Sequence, residues 1–134
     1  MNSNATELVI ALATHVIGQM QTTFPGWEEA YVRFHAVSDF QFGVRASYCT
    51  HNGVELISTL RHGAFIDGVM RLGIQLREAL SNGDNKFCVG LFRANSRFAY
   101  RMDYEWNDLA KWNITKLNGA SGLPEGLEAL APVE

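Results

Sequence analysis

The fold of this chain is decided by residues 30–48, which read AYVRFHAVSDFQFGVRASY. Apolar side chains occupy every second position on both sides of Ser38 and Asp39, a pair that is typical of tight turns. A period of two places one row of side chains against a core and the other row away from it. The stretch therefore predicts two half-buried strands joined into an antiparallel hairpin.

Three further strands extend this hairpin into a sheet. Residues 51–53, His-Asn-Gly, carry the Asn-Gly signal of a two-residue turn, and residues 54–57 follow as a third short strand. Residues 87–92 and 98–104 alternate in the same way around a turn at residues 95–96. The second pair of alternating runs predicts a second hairpin.

Helical periodicity appears on either side of the first three strands. Apolar residues recur every fourth position over residues 4–22, where Asn4 is the expected N-cap. The helical period returns over residues 61–81. Gly68 and Gly73 lower the helix propensity of this second segment. We therefore expect either a bend in the second helix or a close contact against its backbone.

The element order α-β-β-β-α-β-β predicts a single α+β domain over residues 1–134. Because short turns join neighbouring strands, about five strands should form an antiparallel sheet, with the two main helices packed on one face. The opposite face is expected to meet solvent or a partner. Residues 106–134 combine a helical turn near residues 108–112, a glycine-rich stretch and a short closing helix after Pro124.

Composition narrows the classes of function. A formal net charge of −3 lacks the basic footprint of nucleic-acid-binding domains, so no direct nucleic-acid contact is expected. The longest apolar stretch, residues 8–17, is shorter than the roughly 20 residues of a membrane span. Residues 1–7 lack the positive flank of a secretion signal. We expect a cytoplasmic protein without membrane contact, with Cys49 and Cys88 as buried free thiols.

Residues that could carry catalysis or bind a metal are scattered along the chain. The four histidines fall on different predicted elements, without the spacing that puts two metal ligands on one face. Glu28 and Glu29 lie at a strand entrance, where carboxylates are readily solvated. We expect no catalytic residue, metal or cofactor. An enzyme of unrecognised type that uses His35 or Cys49 is a less favoured alternative.

Two groups of residues are candidates for contact with a partner. The first combines acids with a large aromatic where the last strand ends: Asp103, Glu105, Trp106 and Asp108. Aromatic anchors supply contact area, and acids steer a basic partner. The second group consists of arginines on the polar faces of the strands: Arg33, Arg45 and Arg101. The competing interpretations are core closure for Trp106 and pairing with local acids for the arginines.

Several short motifs, taken in order, resemble the YezG-like immunity proteins. They are Pro25-Gly26-Trp27 leading into Tyr31, a hairpin ending in Ala46-Ser47-Tyr48, a long second helix, and FAYRMDYE at residues 98–105. The resemblance runs from about Glu7 to Trp112. Trp27, Tyr31 and residues 103–105 are the positions that match the family pattern.

The resemblance implies a cytosolic antidote that binds the C-terminal domain of one cognate toxin. Such toxins are commonly nucleases delivered by contact-dependent growth inhibition or related systems, and the antidote blocks the active site or the substrate groove. The mild charge of this chain and its strand arginines depart from the more acidic members of such groups. The alternative function is a small-molecule or peptide-binding module that uses the open sheet face. The oligomeric state is left open.

Overall fold

A computed structural model describes residues 3–133 of the chain, and its elements follow the predicted order. They are α1 (Ser3–Thr23), β1 (Glu29–Ser38), β2 (Gln41–Thr50), β3 (Gly53–Leu56), α2 (Gly63–Ala79), β4 (Val89–Asn95) and β5 (Tyr100–Glu105). The five strands form one antiparallel sheet in the order β3-β2-β1-β4-β5. Both helices pack on the same face, which confirms the predicted α+β class.

The main core lies between the helices and the sheet. Val32 and Phe34 of β1 and Phe92 of β4 point toward the helices and are buried. They meet an apolar stripe on each helix, represented by Val16 of α1 and Leu76 of α2, both with no exposed surface. The period-two pattern of the strands and the 3.6-residue period of the helices therefore converge on one interface.

The two glycines of α2 allow close packing against its backbone. An added Cβ at Gly68 would overlap the imidazole ring of His15 on α1, and one at Gly73 would overlap the ring of Phe34. His15 is held in this position because its Nε2 donates to the carbonyl oxygen of Phe65, 2.9 Å away. The expected close contact against the helix backbone is confirmed at both glycines.

Several element ends differ from the sequence predictions. Because α1 begins at Ser3, Asn4 lies inside its first turn and is not the cap. α2 is two residues shorter at each end than residues 61–81, since the chain before it is turned by Arg61 N donating to Ser58 Oγ at 3.1 Å. Among the described residues beyond β5, helical structure is confined to short 3₁₀ turns at Leu117–Gly119 and Leu127–Ala129. Neither helix of the described chain has the length and apolarity to cross a bilayer.

The sheet face opposite the helices is covered by the C-terminal segment, residues 109–133. Trp112 is 5% exposed and packs against Val89 and Leu91 of β4, while Ile114 has no exposed surface. The expectation that this face meets solvent or a partner is therefore wrong over the centre of the sheet. Residues 109–133 lack a helical or strand period, so their role as a covering layer could not be read from the pattern.

Buried polar side chains of the sheet hold the C-terminal segment by donating to its carbonyl oxygens. Arg33 donates to the carbonyl oxygen of Leu109 and, at 2.8 Å, to that of Lys111. Ser47 donates to the carbonyl oxygen of Gly122 at 2.7 Å, and Arg93 donates to that of Ala131 at 2.8 Å. Irregular chain crossing a sheet leaves carbonyl groups without ladder partners. These side chains supply the missing donors, so the segment can pack on the sheet without ladder partners of its own.

We predict that Trp112→Ala lowers the free energy of unfolding by about 3–5 kcal/mol, because it leaves a cavity over β4. Urea denaturation followed by circular dichroism measures the change. Leu117→Ala is the matched control, since Leu117 lies in the same segment but is 74% exposed; it should change stability by less than about 0.5 kcal/mol. Equal effects of the two substitutions would contradict burial of the segment.

Candidate partner-binding site

Asp103 lies on β5 and is held by two arginines. Its Oδ2 accepts from Arg93 at 3.1 Å and from Arg101 Nε at 3.3 Å. The Asp103 side chain is 16% exposed, against 46% for Arg101. Most of the hydrogen-bonding capacity of this carboxylate is therefore used inside the chain, whereas the outer edge of Arg101 is accessible.

Glu105 and Asp108 organise the turn that follows β5. Glu105 accepts from the backbone N–H groups of Asn107 at 3.0 Å and Asp108 at 3.1 Å, and its carboxylate is 3.5 Å from Lys111 Nζ. These backbone hydrogen bonds lower the pKa of Glu105 from its usual value, with a further contribution from Lys111. Asp108 is exposed and accepts from Ala110 N at 3.0 Å. Both acids thus stabilise local structure.

Trp106 closes one end of the main core. Its ring lies edge-on to Phe87 at a centroid distance of 6.2 Å, and Phe87 has no exposed surface. Trp106 itself is half-buried. Packing against the core and contact with a partner through the exposed part of the ring are compatible, so partner contact by the acid–aromatic segment stays a prediction.

The three strand arginines have different environments. Arg33 is 4% exposed beneath the C-terminal segment, so the expectation that it lies on an accessible platform is wrong. Burial lowers the pKa of Arg33, and the positive charge of Arg45, its cross-strand neighbour, acts in the same direction. The side chain of Arg45 is exposed, and its guanidinium has no hydrogen-bond or ion-pair partner among residues 3–133.

Burial shifts the pKa of three titratable groups on β1 and β2, namely Tyr31, His35 and Cys49. Tyr31 donates to Glu29 at 2.6 Å, and burial raises its pKa. Burial also raises the pKa of the Cys49 thiol, which disfavours the reactive thiolate. Burial, and then the charge of Arg33, lower the pKa of His35. Within the described residues no three histidine, cysteine or acidic side chains meet as a metal site would require.

An open cleft of about 520 Å³ lies beside Arg45, between β2, the chain after β3 and the C-terminal segment. We call it the Arg45 cleft. Its floor is apolar and buried, and consists of Ala46, Ile57 and Ile114. Its rim carries Arg45, Leu56 and Leu60, of which the leucines are 43% and 94% exposed. A free guanidinium between exposed aliphatic side chains can bind an acidic group and exclude water around it.

Sequence reasoning identified Arg45 but missed the leucines that flank it. Leu56 occurs in a short strand and Leu60 in the chain between that strand and α2, so an apolar residue at either position is normally assigned to the core. Ile114 was also missed, since it lies in the aperiodic C-terminal segment. Arg45 and Leu60 line the same cleft only because the fold brings β2 and the chain after β3 together.

We predict that Glu105→Gln destabilises the protein at pH 7 and that its deficit relative to wild type shrinks as the pH falls below about 4. The folded-state pKa of Glu105 is lowered, so its stabilising contribution is present above the unfolded pKa and is lost as pH falls through the folded pKa. Urea denaturation at several pH values measures this. Glu128→Gln, at an exposed glutamate, is the control. A deficit that is independent of pH would contradict the assigned role of the charge.

A scan of the chain against models of protein families finds no match, and a search of curated proteins finds no relative of significant similarity. The comparisons therefore assign this chain to no family, and the resemblance to the YezG-like immunity proteins stays an expectation from its motifs.

Proposed function

We propose that this protein is an immunity protein that binds a cognate bacterial toxin domain and blocks its active site or its substrate groove. The observation that carries the proposal is the Arg45 cleft, an accessible surface with an unpaired arginine between exposed leucines. The resemblance of residues 7–112 to the YezG-like immunity proteins supports the choice of a toxin as partner. The toxin is commonly a nuclease in such systems.

The chemistry of the Arg45 cleft favours a protein segment that presents a carboxylate next to apolar side chains. A guanidinium can bind a carboxylate through two parallel hydrogen bonds. Leu56 and Leu60 would cover that ion pair, and removal of water strengthens such contacts at the centre of an interface. The cleft therefore fits an acidic loop of the toxin better than a basic one.

The remaining candidate residues divide by accessibility. Arg101 and Asp108 are exposed and available for contact, while Asp103 and Glu105 already hold groups of their own chain. The alternative function, a small-molecule or peptide-binding module on the open sheet face, is less favoured because residues 109–133 cover the centre of that face.

We predict that Arg45→Glu raises the dissociation constant for the toxin domain about 100-fold or more, because it replaces an attraction by a repulsion at a desolvated contact. The toxin to use is the C-terminal domain of a polymorphic toxin encoded beside this gene. Isothermal titration calorimetry measures the affinity, and growth on co-expression measures protection. Arg71→Glu makes the same charge change at an exposed position on α2 and should bind as wild type does.

Two different failures would be informative. If the wild-type protein neither protects cells from the toxin domain nor forms a complex on gel filtration, the immunity function is excluded. If the wild-type protein protects and Arg45→Glu binds with unchanged affinity, the toxin contacts another surface. The folded state of each variant is checked by its unfolding midpoint in urea.

A further inference from the structure

The two edges of the sheet are protected to different extents. β3 forms one edge and has only four residues, and short edge strands are one means of preventing further pairing. β5 forms the other edge with six residues, contains neither lysine nor proline, and pairs with β4 in unbroken register from Tyr100 to Glu105. β5 is therefore the edge that can accept another strand.

The backbone groups of alternate β5 residues face away from the sheet. The carbonyl oxygen of Ala99 accepts from Asn95 N at the end of β4 at 3.0 Å, and that of Glu105 accepts from Cys88 N, immediately before β4, at 2.8 Å, so the odd-numbered residues bond inward. Because strand residues alternate, the N–H and C=O groups of Tyr100, Met102 and Tyr104 point outward. A second strand can pair with β5 only if its own outward-facing N–H and C=O groups lie opposite Tyr100, Met102 and Tyr104.

The sequence of β5 is complementary to itself in one antiparallel register. When Met102 lies opposite Met102 of a second copy, Tyr100 faces Tyr104 and Arg101 faces Asp103. Even-numbered residues then meet each other, so their outward backbone groups pair. A two-residue shift one way places Asp103 opposite Asp103, and a shift the other way places Arg101 opposite Arg101. These shifts also place Arg101 or Arg97 opposite Glu105, but Glu105 already accepts from the backbone N–H groups of Asn107 and Asp108. Like charges directly opposite each other are destabilising, so the register centred on Met102, which has no such pair, is favoured.

The charges in this register form an alternating array. Within one chain Arg101 Nε already lies 3.3 Å from both carboxylate oxygens of Asp103. Across the two-fold axis each Arg101 gains a second aspartate, and each Asp103, already bound by Arg93 and Arg101 of its own chain, gains a third arginine. The Arg101–Asp103 pairs are non-hydrogen-bonded pairs, in which the side chains are closest.

An apolar groove of about 490 Å³ runs along the helix side of β5, between this strand and α1. It is lined by Val9 and Ile10 of α1 and by Tyr100, Met102 and Tyr104 of β5. Ile10 and Tyr100 are 50% and 39% exposed. In the register centred on Met102, Tyr104 of the second copy packs beside Tyr100 at this groove. The same pairing therefore satisfies the edge backbone and covers exposed apolar surface.

We propose that two copies of this protein pair through β5, antiparallel and centred on Met102, to form a dimer with a continuous ten-stranded sheet. β5 and the Arg45 cleft lie at opposite sides of the sheet, separated by β1 and β4. The dimer therefore does not depend on the proposed function, and it leaves both Arg45 clefts free to bind a partner.

Sedimentation velocity of the purified wild-type protein at about 5 and about 500 µM tests the dimer, because self-association depends on concentration. We expect the mass of a dimer at the higher concentration. Arg101→Glu should raise the dissociation constant at least about tenfold, since it places two acids opposite each other at both symmetry-related sites. Arg101→Lys keeps the charge and should retain the dimer. Arg97→Glu, outside the paired strand, is the charge-matched control.

Crosslinking tests the register itself. Met102→Cys places two thiols directly opposite each other, with Cα atoms about 5.5 Å apart, a separation that a disulfide spans. Mild oxidation should therefore give a covalent dimer. The wild-type protein controls for Cys49 and Cys88, which are half-buried free thiols. Leu117→Cys, at a position that is 74% exposed, controls for random collision.

A wild-type protein that stays monomeric at about 500 µM overturns the proposal, whatever its affinity for a toxin. A dimer that Arg101→Glu leaves intact and that Met102→Cys does not crosslink uses another surface, and this result also overturns it. Circular dichroism of Arg101→Glu separates loss of the dimer from loss of the fold, and circular dichroism of Met102→Cys before oxidation verifies that its crosslink forms in the folded protein.

Discussion

Burial of the central strands on both faces is the constraint on which the rest of the structure depends. All seven residues of β4 are buried, and β1 is buried over most of its length. A sheet with two buried faces needs a layer on each side. The helices form one layer, and residues 109–133 form the other through Trp112, Ile114 and the hydrogen bonds of Arg33 and Arg93.

The use of arginines inside this second layer explains why polar residues of the sheet do not form an open binding platform. A buried guanidinium is strongly unfavourable unless its N–H groups are hydrogen-bonded. Arg33 meets this requirement with carbonyl oxygens of the C-terminal segment. The surfaces that remain for partners are consequently at the sheet's two sides, at the Arg45 cleft and along β5. The sequence pattern placed Arg33 and Arg45 on the polar face of the sheet, but it could not show that Arg33 is covered and Arg45 is exposed.

The extent to which the sequence predicted the structure depends on periodicity. The alternation in residues 30–48 predicted the first hairpin, and the structure pairs Val32 with Ala46 and Phe34 with Val44. The helix contact at Gly68 was also anticipated, because glycine in a helix interior needs a packing reason. Trp112 carried no such signal: it lies in an aperiodic segment and has a positive φ of 57°. Its burial depends on contacts with β4, which are distant in sequence.

The candidate site was harder to predict than the fold. Asp103 was chosen as a docking residue, but its accessibility depends on Arg93, which reaches it only because β4 and β5 are neighbours. Leu56 and Leu60 are exposed against the usual preference of leucine. Such residues are recognised from the tertiary arrangement, since neither their type nor their spacing distinguishes them from core residues.

Hydrogen–deuterium exchange of the free protein tests the second covering layer most directly. The amide of Glu125 donates to the carbonyl oxygen of Asn113 at 2.9 Å within the segment that crosses the sheet. If this segment is a packed layer, its hydrogen-bonded amides exchange far more slowly than those of an unstructured peptide of the same sequence. Exchange of the whole of residues 109–133 at the unstructured rate, while β1 and β4 stay protected, would contradict the account.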